Sequence, residues 1–222
     1  MLFPENIGEY LSIDETAFSN GDLYTIVTNK KAKGKKGALL AMIRGTKADT
    51  VVEILLKIPL KYRKKVQEVT LDMAGNMGLI VKKSFPQAVQ VIDRFHVQKL
   101  ASEALQEIRI KHRWDAIDAE NDAIENARSK NLKYSPELLS NGDTLKQLLA
   151  RSRYLLYKNS SKWTENQQQR AIVLFEKYPD IEKANKLCQN LSWIFNNTKD
   201  KNSALIRLAK WDEKVRQADF KS

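Results

Sequence analysis

The fold is decided by residues 66–97, which read VQEVTLDMAGNMGLIVKKSFPQAVQVIDRFHV. The apolar runs at residues 66–71 and 89–92 predict two β-strands. Residues 76–83 between them have helical spacing, and Pro86 breaks that helix before the second strand. A strand-helix-strand unit returns its second strand parallel to the first through a right-handed crossover. The sequence therefore predicts two neighbouring parallel strands here.

Three further strands are predicted upstream, at residues 10–14, 23–29 and 38–43. The pair Asn20-Gly21 is typical of a tight turn and predicts that the first two strands form a hairpin. A helix at residues 48–57, ended by Pro59, leads to the strand at residues 66–71. An antiparallel meander followed by two crossover strands gives a five-stranded mixed sheet of the α/β (α+β) class, with the element order of a ribonuclease-H-like fold.

The pattern becomes helical beyond residue 94. A stripe of apolar residues predicts an amphipathic helix from residue 97 to about residue 128. Further helix starts are indicated by Ser135 before Pro136, by Asn141 or Asp143 before Leu145, and by the capping box of Thr164 with Gln167. Apolar spacing indicates two more helices, at residues 181–194 and 205–215. We therefore expect two domains: a catalytic core at residues 1–96 and an all-α insertion of about five helices at residues 97–222.

Three aspartates each close an apolar run: Asp14, Asp72 and Asp93. Carboxylates at the ends of neighbouring strands can meet at one edge of the sheet, within reach of a shared metal ion. Like charges held so close are unfavourable without a cation between them, and hard oxygen ligands suit Mg²⁺ or Mn²⁺. The sequence therefore predicts that Asp14 and Asp72 bind metal, although an aspartate after a strand is also common turn chemistry. Glu15 is a poor ligand, because strand alternation turns it to the opposite face.

The charge balance points to a polyanionic partner. Lysine and arginine number 38 against 27 aspartates and glutamates, and the net charge of +11 is spread along the chain. If the partner is a nucleic acid, contacts of lysine and arginine with its phosphates give affinity without sequence specificity. The alternative for each cluster is a solvated face. The candidate contacts are Lys31, Lys33, Lys35, Lys36, Arg63, Lys64, Lys65, Arg109, Lys111 and Arg113.

The expected location is the cytoplasm. Cys188 is the one cysteine, so neither an intrachain disulfide nor a Cys-rich zinc site can form. We find no cleavable leader in residues 1–10 and no uncharged run approaching about 18 residues. We therefore expect no membrane partner.

The motifs together resemble the DDE transposases of bacterial insertion sequences, in the branch that carries a D-R-F-H motif. The similarity extends through Tyr178-Pro179-Asp180-Ile181 and covers nearly the whole chain. The stretches that carry it are Ser12-Ile13-Asp14-Glu15, Thr70-Leu71-Asp72-Met73, Phe85-Pro86-Gln87-Ala88 and Asp93-Arg94-Phe95-His96-Val97.

The resemblance implies a ribonuclease-H-like core with a helical insertion after the fifth strand, and metal-dependent DNA cleavage and strand transfer at transposon ends. Asp14 matches the first catalytic acid of that family and Asp72 the second. The third acid, a glutamate on a helix after the insertion, has no match, and we expect it beyond Ser222. An N-terminal DNA-binding region is also unmatched. Both departures lead us to expect little activity from this chain alone.

Two residues of the D-R-F-H motif have alternative roles. Asp93 could line the metal site, but we favour a role as the N-terminal cap of the long helix. His96 could touch the scissile phosphate, hydrogen-bond Asp93, or be purely structural.

Three functions remain open. The first is a transposase core, the second is a non-catalytic DNA-binding or regulatory remnant of one, and the third is a related nuclease in which Asp93 completes the acid set. We also expect that a helical half without its partner segments exposes apolar surface, which would promote homodimers.

Overall fold

The computed structural model describes residues 1–18 and 21–220, and it divides the chain into two compact units, Met1–His96 and Val97–Ser222. In the first unit the strands are β1 (Tyr10–Ala17), β2 (Leu23–Asn29), β3 (Leu39–Arg44), β4 (Glu68–Leu71) and β5 (Val89–Ile92), and the helices are α1 (Ala48–Leu56), α2 (Leu60–Arg63) and α3 (Gly75–Ser84). Helix α4 (Arg94–Ser129) begins at the end of this unit.

The five strands form one mixed sheet in the order β3-β2-β1-β4-β5. Strands β1, β2 and β3 pair antiparallel, whereas β4 pairs parallel with both β1 and β5. This topology confirms the predicted five-stranded mixed sheet of a ribonuclease-H-like fold. One face of the sheet is buried, because alternate strand residues such as Leu11, Ile13 and Val69 pack with apolar residues of α1 and α3.

Strand β1 is longer than predicted. The expected end at residue 14 is wrong, since β1 continues to Ala17 while its parallel pairing with β4 stops at Ile13. The additional residues pair with β2, where Ala17 lies opposite Leu23. Of the predicted Asn20-Gly21 turn, Asn20 lies outside the described residues, and Gly21 has the positive φ of 77° that such turns require.

The remaining boundaries in the first unit follow the sequence closely. Strands β2 and β5 have the predicted limits, and α1 ends one residue early. Strand β4 begins at Glu68 instead of residue 66, because a turn follows the unpredicted short helix α2, with Val66 N–H donating to Arg63 O at 3.3 Å.

The described part of the second unit contains, besides the rest of α4, the helices α5 (Leu145–Arg151), α6 (Arg153–Tyr157), α7 (Glu165–Lys177), α8 (Pro179–Asn197) and α9 (Lys201–Gln217). Its core brings together apolar side chains that include Leu105, Leu149, Leu155, Leu174 and Ile181. Helix α7 starts with the predicted capping box of Thr164 and Gln167.

One predicted helix cap and one predicted helix start are wrong. Helix α5 is capped by a second capping box, Thr144 with Gln147, and not by Asn141 or Asp143. No helix follows Ser135-Pro136 before Leu145. Only five residues separate Pro136 from Gly142, whose φ of 78° ends any helical run, so a turn of helix there has too few residues to propagate.

Candidate metal centre

Asp14 and Asp72 each come directly after the last residues that the parallel strands β1 and β4 pair with each other. In the register of β1 with β4, Ile13 lies opposite Leu71, so the next residue of each chain segment is an aspartate. Ile13 and Leu71 are buried on the core side of the sheet. Alternation carried one residue further turns both carboxylates toward the other face, where they leave the same edge side by side.

His96 joins the two carboxylates from the first turn of α4. Its Nδ1 lies 3.2 Å from Asp72 Oδ1, and its Nε2 lies 3.9 Å from Asp14 Oδ1. One ligand atom from each of the three residues lies within 4.8 Å of the other two, and the described part of the chain contains no other such group of metal-binding side chains. The Asp14 side chain is 54% exposed and that of His96 only 20%, so the cluster opens to solvent on its Asp14 side.

Asp93 lies beside the cluster but is used as a helix cap. Its backbone N–H donates to Leu71 O at 2.8 Å, which continues the pairing of β5 with β4. Its Oδ1 accepts the backbone N–H of Phe95 at 2.9 Å, one of the amides that a helix start leaves without a partner. Asp93 therefore fixes the start of α4, and with it the position of His96.

The cap also explains why His96 reaches the aspartates. The His96 backbone N–H donates to Asp93 O at 3.1 Å, which places the histidine one turn into α4 and next to the sheet edge. Its ring packs edge-to-face on Phe95, with 5.7 Å between centroids. The imidazole thereby lies against Asp72 and Asp14. A histidine three residues after a helix cap that directly follows a strand, β5, was the available signal.

Glu15 lies apart from the cluster. Its Oε1 accepts a hydrogen bond from Asn76 Nδ2 at 3.4 Å, and the same amide donates to Thr46 O at 2.7 Å. These contacts tie the extension of β1 to the first turn of α3. Glu15 is therefore occupied in positioning the elements around the centre.

The candidate DNA contacts fall into two groups. Eight are exposed cations: Lys31, Lys33, Lys35, Lys36, Lys64, Lys65, Lys111 and Arg113. Among them Lys31 is already paired, because its Nζ lies 2.6 Å from Glu9 Oε2, and this hydrogen bond raises the pKa of Lys31.

Arg63 and Arg109 are interior residues, which corrects the prediction that they lie on a basic surface. Arg63 is 8% exposed and donates to Ile58 O at 2.8 Å and Ser84 O at 2.7 Å. Arg109 is 4% exposed and donates to Leu149 O at 2.9 Å. Both guanidinium groups bind backbone carbonyls and are not placed to contact a phosphate.

The donor set of the cluster fits a divalent cation. Two carboxylates held this close repel each other, and a cation between them removes that cost. Carboxylate oxygens suit Mg²⁺ and Mn²⁺, which complete their coordination with water on an open side. The exposed Asp14 side of the cluster provides such an opening.

Comparison with protein families identifies a match over most of the chain. The model of the ISL3 family of DDE transposases, described as "Transposase", matches residues 11–222. A search of curated proteins finds no match to the sequence. Among the described residues, no helix is both long enough and apolar enough to cross a membrane.

Proposed function

Because the chain belongs to the ISL3 family of DDE transposases, we propose that it is the catalytic part of an enzyme that cuts DNA at transposon ends and transfers the freed strand. The observation that carries this proposal is the parallel register of β1 and β4, which puts Asp14 and Asp72 at one sheet edge. DNA is the proposed substrate and partner, in keeping with the net charge of +11.

Asp14 and Asp72 would hold the divalent cation, Mg²⁺ or Mn²⁺. When bound, such an ion supplies charge stabilisation to the phosphate and lowers the pKa of an attacking water. The two residues would bind it and fix its place beside the sheet, because Asp14 lies within β1 and Asp72 directly follows β4.

The proposed reaction has two balanced steps. In the first, a water oxygen attacks a phosphorus at the transposon end, the P–O3′ bond breaks, and the departing 3′ oxygen takes up a proton released by that water to become a hydroxyl. In the second, that 3′-hydroxyl attacks a phosphorus of target DNA, and a second P–O3′ bond breaks. No oxidant or other reactant is needed, so positioning and charge stabilisation supply the catalysis.

The activity of these 222 residues alone is expected to be low. The resemblance calls for a third acid, a glutamate, whereas the cluster in the described residues offers two carboxylates and a histidine. Asp93 is engaged in capping α4, which argues against the nuclease reading in which it completes the acid set. We therefore expect weak metal binding and slow cleavage.

The metal site is tested by binding. Free Mn²⁺ is followed by its electron paramagnetic resonance signal in titrations of the wild type and of Asp14→Asn with Asp72→Asn. We expect the double variant to lose the binding that the wild type shows, because both oxygen ligands have become neutral amides. Glu15→Gln is the matched control, since it removes a neighbouring carboxylate outside the cluster while its amide oxygen can still accept the hydrogen bond from Asn76, and it should bind as the wild type does. Equal binding by wild type and double variant would refute the metal site.

The same variants separate an enzyme from a DNA-binding remnant. Slow Mn²⁺-dependent nicking of supercoiled DNA that is lost in Asp14→Asn supports the enzyme. DNA binding that weakens with salt, survives Asp14→Asn and is never accompanied by nicking supports the remnant.

A further inference from the structure

His96 lies at the position that a third metal ligand of the cluster would occupy. Its Nδ1 lies 3.2 Å from Asp72 Oδ1 and its Nε2 lies 3.9 Å from Asp14 Oδ1. Its ring packs edge-to-face on that of Phe95. Neighbouring ligands around an ion bound at about 2.1 Å lie roughly 3 Å apart, and opposite ones about 4.2 Å apart. A single ion can bind only one of the two ring nitrogens. One ligand atom from each of the three residues lies within 4.8 Å of the other two, which is near this range of separations.

We propose that His96 is a nitrogen ligand of this centre and gives it a preference for Mn²⁺ over Mg²⁺. The inference rests on the proposed metal site and extends it from two oxygen ligands to a mixed set. Imidazole binds the later divalent transition metals well, whereas Mg²⁺ prefers oxygen and keeps its waters. A site with one imidazole thus gains affinity for Mn²⁺ and Zn²⁺ more than for Mg²⁺.

The competing role for His96 is to orient Asp72 by a hydrogen bond without touching the ion. The 3.2 Å separation of Nδ1 from Asp72 Oδ1 allows this as well. The two roles predict different selectivity. Loss of an orienting bond weakens every ion about equally, whereas loss of a nitrogen ligand weakens Mn²⁺ more than Mg²⁺.

The first test needs no variant, because the protein has two histidines, His96 and His112. Both lie near an aspartate, since His112 Nε2 is 2.6 Å from Asp180 Oδ2 in the second unit, so His112 serves as an internal control. Imidazole ¹⁵N shifts are recorded while Zn²⁺, a diamagnetic probe, is added. We expect one nitrogen of His96 to shift to a metal-bound value while those of His112 stay in place. Zn²⁺ binding that leaves His96 unshifted would overturn the proposal.

The second test measures selectivity with His96→Gln. Glutamine can still donate a hydrogen bond to Asp72 but lacks the imidazole nitrogen. Because even an outer-shell partner of a ligand is worth about 10–100-fold in metal affinity, we expect Mn²⁺ to bind at least about tenfold more weakly, with a change for Mg²⁺ under about threefold. Equal losses for the two ions would overturn the proposal in favour of an orienting role that glutamine fills poorly. No loss for either ion would overturn it in favour of an orienting role that glutamine fills or of a structural role.

The controls keep this inference separate from the function on which it rests. His112→Gln should leave both affinities unchanged. Should the wild type bind neither ion, the metal site itself would be refuted, whereas binding that depends on Asp14 and Asp72 but not on His96 would refute the ligand role alone. The ¹⁵N experiment on wild-type protein remains decisive if His96→Gln fails to fold.

Discussion

At the scale of single residues, the position of an arginine on a helix decides whether its side chain is buried or exposed. Arg109 follows Leu105 by one helical turn and therefore lies on the buried stripe of α4. Its guanidinium donates to Gln106 Oε1 at 2.6 Å and to Leu149 O at 2.9 Å, so it ties α4 to α5. Burial, with smaller contributions from Arg113 and Arg153, lowers the pKa of Arg109. The spacing from Leu105 was the sequence signal against a DNA contact.

Cys188 provides a residue-scale prediction. Burial raises the pKa of its thiol to about 11, and its Sγ lies 3.3 Å from Ala101 O. At pH 8 a thiol of that pKa has roughly two-hundredfold less thiolate than one with the usual pKa of about 8.5, and the thiolate is the nucleophile. We expect slow alkylation by iodoacetamide in the folded protein, with a rate that rises about tenfold per pH unit from pH 8 to 10. Mass spectrometry at several times measures it.

The control for Cys188 is the same protein in urea, where alkylation should be fast, with a rate that is half-maximal near pH 8.5 and levels off about one pH unit above it. Native protein that reacts as fast as the unfolded chain would contradict the buried environment of the thiol.

At the scale of elements, the sequence alone was sufficient to predict the limits of strands and helices where periodicity and turn chemistry agree. Strands β2 and β5 and the capping box of Thr164 were predicted as observed, because each is marked by alternation or by a specific residue pair. The end of β1 was missed because Glu15 and Thr16 break the apolar alternation. The hairpin overrides this, since every residue of β2 needs a partner and finds one up to Ala17.

The candidate centre was only partly predictable for a related reason. Asp14 and Asp72 follow from the apolar runs that they close, which are local in sequence. The approach of His96 depends on how α4 leaves β5, a geometry that the bond from Phe95 N–H to Asp93 fixes in three dimensions. The burial of Arg63 likewise depends on carbonyls at Ile58 and Ser84, the second of them distant in sequence.

Helix α9 gives an element-scale prediction about pH. Asp200 caps it, and the bond from Ser203 N–H to Asp200 Oδ1 at 2.8 Å lowers the pKa of Asp200. A folded-state pKa below the unfolded value means that the carboxylate stabilises α9 above about pH 3.9, and that this contribution is lost as pH falls through the folded pKa. Amide hydrogen exchange in the first turn of α9 should therefore speed up on acidification relative to the rest of the helix, after correction for intrinsic rates.

Two substitutions of Asp200 separate the effect of its charge on α9 from the effect of its capping hydrogen bond. Asparagine caps about as well as aspartate but does not titrate, so Asp200→Asn should keep protection at pH 7 and lose the pH dependence. Asp200→Ala should lose protection at every pH. Identical protection in Asp200→Ala and wild type would show that the cap does not hold the first turn.

At the scale of the whole molecule, charge is distributed over both units. The exposed cations of the first unit include the lysines that connect β2 to β3, while Lys111 and Arg113 belong to the second unit. Because counterion release depends only on how many phosphates are neutralised, exposed lysines and arginines would bind DNA without sequence specificity. Sequence choice at a transposon end would need contacts of another kind.

The salt dependence of DNA binding tests this surface. Lys33, Lys35 and Lys36 are all exposed in the β2–β3 connection, so we expect their joint replacement by glutamine to weaken duplex binding and to reduce the slope of log K against log salt by up to about 2.7, or about 0.9 per phosphate contact. Fluorescence anisotropy between 50 and 200 mM salt measures both quantities. A triple glutamine variant of Lys130, Lys133 and Lys177, exposed in the second unit, changes the net charge equally and is the control. If both variants lower the slope by the same amount, net charge alone governs binding; if only the first does, the β2–β3 connection lies against the phosphate backbone.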